Sequence, residues 1–153
     1  MVDGDLRLRR ARAEDAPLLL AWRNDPATRA ASLSQHEISP DEHRRWLHGK
    51  LHDPECFLSI VEESTQPIGQ VRVDRLSPAL AELSIALAPE ARGRGLGRRA
   101  IELGTTQARE VLGVNSVKAR VRADNEASLR AFRATGYEDV GLARGIIELR
   151  RRV

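Results

Sequence analysis

The chain has one cysteine, two lysines, five aromatic residues and no long apolar run. Cys56 alone excludes an intrachain disulfide and a thiolate metal site. The histidines and carboxylates show no ligand spacing either, so no metal is expected. The aromatics are Trp22, Trp46, Phe57, Phe132 and Tyr137. That is little stacking surface for a reader of bases, and nucleic acid is not the expected partner. No stretch is long enough to span a bilayer, and "MVDGDLRLRR" (1–10) lacks the apolar core of a signal peptide. These readings point to a cytoplasmic protein without a membrane partner.

What is abundant is arginine. It carries most of the 25 basic residues, leaving a net charge of +3 with 22 acidic ones. Such a surplus suits an anionic small ligand. Arg92, Arg94, Arg98 and Arg99 cluster around three glycines, and Arg150, Arg151 and Arg152 form a basic run near the end, read as a solvated tail. A length of 153 residues, with no linker or repeat, fits a single domain over 1–153.

Periodicity then orders the chain. "LRLRR" (6–10) alternates as a strand, and 13–25 reads as a helix with Asp15 as candidate cap and Pro17 in its first turn. Asn24, Asp25 and Pro26 end it. Ser39, Pro40 and Glu42 form a helix-start signature for 38–50, which Gly49 is placed to stop. Strands are expected at 56–62, 68–74 and 81–89, joined as antiparallel hairpins. A helix over 96–112, with a stripe of Leu96, Ala100, Ile101, Ala108, Val111 and Leu112, ends at Gly113. A strand (116–122), a short helix (125–136, capped by Asp124 or Asn125) and two strands around 143–145 follow. The order predicts an α/β (α+β) mixed sheet.

"PEARGRGLG" (89–97) lies between a strand and a helix. Backbone N–H groups and the helix dipole converge there, and glycine admits a diphosphate to the backbone. Arg98 and Arg99 after Gly97 exclude a Walker A loop, and Gly93, Gly95 and Gly97 give G-x-G-x-G rather than a Rossmann fingerprint. A purely structural turn is the alternative.

"RGRGLG" (92–97) resembles the Arg/Gln-x-x-Gly-x-Gly/Ala signature of the GNAT superfamily of N-acetyltransferases, with Arg92, Gly95 and Gly97 on the signature positions. "DNEASLRAFRATGYE" (124–138) is similar to that family's asparagine-containing helix and following Gly-aromatic pair, and the element order agrees throughout. The resemblance implies the GNAT fold: six or seven mostly antiparallel strands, about four helices, and a splay between strands 81–88 and 116–122. It implies acetyl-CoA as cosubstrate, its pyrophosphate on the N–H groups of Arg92, Gly93, Arg94, Gly95, Leu96, Gly97 and Arg98. The pantetheine would run along strand 81–88, with N–H groups of Ile85, Ala86 and Leu87 near the oxyanion, and Asn125, Ser128 and Phe132 against the cofactor. Many members carry a tyrosine that protonates the leaving sulfur where this chain has Phe132.

A finer similarity joins "LLLAWRNDPATR" (18–29), "ISPDEHRRWL" (38–47) and "GQVRVDR" (69–75) to members that acetylate nucleotide-linked amino sugars in pseudaminic-type acid synthesis. Related patterns occur in acetyltransferases of ribosomal-protein N-termini and polyamines. The resemblance implies a small-molecule amine acceptor, touching Trp22, Arg23, Asn24, Trp46 and Arg72, and leaves a homodimer open.

An amine needs a base before attack. Glu82, on the cofactor strand beside Ser84, is the first candidate; an ordinary carboxylate paired with an arginine such as Arg72 is the alternative. His43 and His36 are second candidates, or packing residues. Trp22 and Trp46, beside helical apolar positions, read equally as core. Tyr137 reads as packing. A CoA-binding module without catalysis is the different-class alternative.

Overall fold

The computed structural model describes residues 5–153. Met1–Gly4, part of the N-terminal stretch examined for a leader, lie outside the described residues. Seven strands form one sheet in the order β1-β2-β3-β4-β5-β7-β6. They are β1 (Leu6–Arg10), β2 (Cys56–Glu63), β3 (Gln66–Ser77), β4 (Leu80–Leu87), β5 (Ser116–Arg122), β6 (Glu138–Ala143) and β7 (Ile146–Arg152). All neighbours are antiparallel except β4 and β5, because a crossover helix separates those two.

Five helices pack on it: α1 (Ala16–Asn24), α2 (Pro26–Ala31), α3 (Pro40–Leu51), α4 (Leu96–Leu112) and α5 (Glu126–Ala134). Four of these regions read as helices in the sequence. The fifth, α2, lies where the sequence gives only a helix stop at Asn24, Asp25 and Pro26. Asp25 both ends α1 and caps α2, accepting from the Thr28 N–H at 3.0 Å. The first helix is shorter than 13–25, because residues 13–15 form a separate 3₁₀ turn. Asp15 is no side-chain cap for α1. Its carboxylate accepts from Arg9 and from the Arg12 N–H at 2.8 Å. Gly49 does not stop α3 either; the helix continues to Leu51, which packs against the core.

The two faces of the sheet are covered differently. Leu83 and Val71 lie under α4, which buries Leu96, Ala100, Ile101, Gly104, Thr105, Ala108 and Leu112. Val111, expected on that stripe, is 51% exposed, since it falls at the stripe's edge. On the opposite face α3 reaches β3: Lys50 Nζ donates to Asp74 at 2.9 Å, and the Arg72 guanidinium lies 5.4 Å from the Trp46 ring centre.

Gly104 sets how closely α4 approaches the sheet. A Cβ there would sit 2.7 Å from both Leu83 Cδ1 and Val71 Cγ1. Gly104→Leu is expected to lower stability by about 3 kcal/mol through overpacking, and urea unfolding measures it.

Candidate functional site

The site begins where the sheet opens. β4 and β5 are partnered only at Leu80–Ser116, Ala81–Val117 and Glu82–Lys118. Beyond Glu82, β5 follows β7, to which it is paired along its whole length, while β4 stays with β3 as far as Leu87. The β5-facing backbone of residues 83–87 is therefore without a strand partner. The splay expected between 81–88 and 116–122 is present.

The opening leads into the glycine loop. After a 3₁₀ turn at Pro89–Ala91, Gly93 and Gly95 take φ of +76° and +74°, a region costly for residues with a Cβ. Gly95 is the N-cap of α4, and no side chain caps the first turn. Its N–H groups and the positive end of a 17-residue helix thus point together at the loop.

The loop arginines differ from one another. Arg98 is exposed and makes no ion pair among the described residues. Arg94 pairs with Glu63 at 2.8 Å. Arg92 turns its guanidinium toward the α1–α2 corner, donating to Thr28 Oγ1 and lying 3.4 Å from Asp25 Oδ2. Its Nη2 is thereby directed away from the loop, while its main chain stays in it. Gly97 faces Ala131 of α5 and Leu87 of β4, so loop, strand and α5 converge.

On α5, Asn125 is the cap; Asp124 instead pairs with Arg122. Asn125 Oδ1 accepts from the Ser128 N–H at 3.3 Å, and both residues are half-buried. Phe132 must be removed from the cofactor set. It is 2% exposed and meets Tyr137 edge-on at 5.0 Å, so it belongs to the core. Tyr137 hydrogen-bonds Thr105 at 2.7 Å, and burial pushes its phenol up to about 12. It is packing, as its position suggested.

Beside the opening lies a second group of side chains. Glu82 is the last β4 residue paired with β5, and its carboxylate accepts from Arg120 Nε at 2.8 Å. Glu82 is thus paired with an arginine, as the alternative to a base had it, but not with Arg72, which holds Asp74 at 2.8 Å and reaches Ser84 Oγ at 3.5 Å. Arg72 and Ser84 are directly opposite across β3–β4. Trp46 stands half-buried over Arg72, and His43 lies 5.6 Å from Trp46.

Trp22, at 5% exposure, is core and offers a ligand no face. Asn24 bonds both backbone groups of Ile38, donating to its carbonyl at 2.8 Å and accepting from its N–H at 2.9 Å. It pins the 32–38 segment. Arg23 is half-buried and donates to the His36 carbonyl at 3.3 Å, without an ion pair among the described residues. His36 itself is exposed, and its Nδ1 lies against Ser34 Oγ.

His43 is 3% exposed, and its buried Nδ1 has no hydrogen-bond partner among the described residues. Burial first, and the Arg23 charge second, push its pKa below the usual imidazole value. The unfolded chain therefore binds the extra proton more readily than the folded one. Folding stability should fall as pH drops below about 6.5, and His43→Gln should flatten that dependence in urea titrations at successive pH values.

Cys56 is buried, and burial followed by the Asp74 charge raises its thiol to about 12. It is no nucleophile at neutral pH. Of two clefts, one is lined by Arg10, Phe57 and Leu112 and the other by Leu8, Arg99, Leu103 and Gln107; no glycine of the loop lines either. No described helix is long and apolar enough to cross a membrane.

Comparison with known proteins agrees with this geometry. Residues 5–138 match the model of the acetyltransferase (GNAT) domain family. The structure is similar to a spermidine N-acetyltransferase from Vibrio cholerae solved with CoA and spermine (TM-score 0.87, 19% identity, 96% of this chain and 95% of that one). It is similar to a ribosomal-protein-alanine N-acetyltransferase from Brucella melitensis (0.80, 25%, 96% and 99%). It is also similar to the Campylobacter jejuni N-acetyltransferase PseH (0.76, 17%, 96% and 97%). A Methanocaldococcus jannaschii protein of uncharacterized function is 24% identical over 139 residues, 89% of this chain, which spans 28% of that relative's length.

Proposed function

This chain belongs to the GNAT acetyltransferase family, and from that premise we propose that it acetylates the primary amine of a small molecule by direct transfer from acetyl-CoA. A nucleotide-activated amino sugar is the acceptor class that fits best. One observation carries the donor half of the reading: the opening between β4 and β5 runs straight into an uncapped helix start with two left-handed glycines. A diphosphate would take the loop N–H groups, and the pantetheine amides would take the unpartnered main chain of Ile85, Ala86 and Leu87. Asn125 and Ser128 flank that path from α5.

Direct transfer fits the nucleophile inventory. Cys56, the chain's sole cysteine, is buried with a raised pKa, so an acyl-cysteine intermediate has no candidate. The sole tyrosine, Tyr137, is in the core, and Phe132 has no proton to give. The sulfur leaves as a thiolate, which a thiol of pKa near 8.5 permits. Glu82, at the mouth of the opening, takes the proton of the attacking amine through water.

On the acceptor side Arg23 has no ion-pair partner among the described residues, and its charge helps to lower the pKa of His43. A phosphate-bearing acceptor gains from that charge, whereas a polyamine is repelled. Trp46 supplies an aromatic face and Arg72 lies beside it. Spermidine and a ribosomal-protein alanine, the acceptors named for two structural neighbours, are the competing choices.

Release of free CoA thiol across an amine panel tests the reading. The panel holds UDP-linked 4-amino sugars, polyamines, amino acids and short peptides. A large rate with the nucleotide sugar alone is the expected result. A peptide-only rate would make the protein an N-terminal acetyltransferase. Acetyl-CoA binding with silence across the panel would favour a non-catalytic CoA-binding module.

A further inference from the structure

Arg92 sits in the glycine loop, yet its side chain leaves the loop. The guanidinium reaches Thr28 Oγ1 and Asp25 Oδ2, more than sixty residues earlier in the chain. Asp25 is not a loose surface acid. Its Oδ2 also accepts from the Thr28 N–H at 3.0 Å and lies 3.2 Å from Thr28 Oγ1, so the same atom starts α2. Thr28 is 8% exposed. Immediately before this corner, Asn24 holds both backbone groups of Ile38, and Arg23 holds the His36 carbonyl. Two polar latches therefore meet at one corner: one to the glycine loop, one to the 32–38 segment.

We propose that Arg92 is a positioning residue that couples occupancy of the glycine loop to the order of the acceptor-side segment 26–38. The proposal rests on the reading of that loop as the acetyl-CoA site. Gly93 and Gly95 leave the unliganded loop many backbone states, only some of which place Arg92 against Asp25 and Thr28. A diphosphate on the loop N–H groups selects the state with the latch closed, because it binds that state better. The latch fixes α2, and Asn24 carries the order to Ile38. By linkage, an ordered 26–38 segment tightens acetyl-CoA binding by the same factor.

Hydrogen exchange of the full chain, with and without acetyl-CoA, tests the coupling. The wild type is compared with an Asp25→Asn/Thr28→Val double variant. Asparagine keeps the helix cap while losing the charge, and valine keeps the buried shape while losing the hydroxyl. Acetyl-CoA should slow exchange across 26–38 by about fivefold or more in the wild type, the low end of typical coupling, and by less than about twofold in the double variant. Calorimetry should show the double variant still binding acetyl-CoA, more weakly by the same lost factor.

Equal protection in both proteins would overturn the coupling. So would wild-type binding without protection of 26–38, which leaves the donor site standing. Failure of the wild type to bind acetyl-CoA would sink the donor-site reading, and the coupling with it. If the double variant does not fold, Asp25→Asn alone should show an intermediate loss of protection.

Discussion

Gly95→Glu should reduce acetyl-CoA binding by at least about a hundredfold in calorimetry while the protein stays folded. The two halves of that expectation have separate causes. A Cβ at residue 95 would meet no atom within 4 Å, and the loop there is exposed, so a side chain can extend into solvent. The left-handed backbone at φ +74° costs about 1–2 kcal/mol, a loss that a folded domain usually survives. Binding suffers more, because the carboxylate lies among the N–H groups offered to a diphosphate and cancels the helix dipole for an anionic ligand. Gly95→Asn is the control. It carries less backbone strain and no charge, so it should bind far better than the glutamate variant with a comparable or higher Tm. Unchanged binding by Gly95→Glu would remove the loop from the donor site.

The second large effect concerns the proton of the amine. Glu82→Gln should lower kcat by about a hundredfold at neutral pH, the low end for loss of a general base. Part of the rate should return at alkaline pH, where free amine becomes abundant. Arg120→Ala breaks the same ion pair from the other side and leaves the carboxylate in place. It should therefore change kcat much less, which separates loss of the base from loss of the pair. His43→Gln should instead raise the acceptor KM, in keeping with a place beside Arg23 and Trp46. A pH-independent deficit in Glu82→Gln, together with a lost acid limb in His43→Gln, would transfer the proton to His43.

Much of the architecture was legible because burial imposes a period. The strand 116–122 alternates Val117, Ala119 and Val121 with Lys118, Arg120 and Arg122, and the structure gives the same bounds. Helix 96–112 is likewise bounded by Gly95 and Gly113, both left-handed. The missed helix, α2, had visible signals in Asp25 and Pro26. The same pair ends one helix and starts another, because a cap followed by proline serves both purposes.

The candidate site was legible only where backbone chemistry leaves a trace, as in the glycine loop. Its side-chain partners were not. Nothing local distinguishes Trp22 in the core from Trp46 beside Arg72; the difference is which helix face meets the sheet. Arg120 as the partner of Glu82 depends on β5 lying next to β4, a pairing separated by 38 residues. Asn24, expected at a ligand, bonds the N–H and the carbonyl of Ile38 instead.

The three-pair parallel seam between β4 and β5 also divides the molecule mechanically. On one side, β2, β3 and β4 follow one another through tight hairpins, so their contacts close quickly. On the other, β5, β6 and β7 form their own antiparallel group. Across the seam the sheet contributes few hydrogen bonds, and α4 adds side-chain links from Thr105 to Tyr137 and from Glu102 to Arg151. Native-state exchange should therefore resolve two cooperative blocks, residues 56–87 and 116–152, that open at different free energies. The break that leaves the β4 edge without a strand partner should also be where the folded chain comes apart most cheaply.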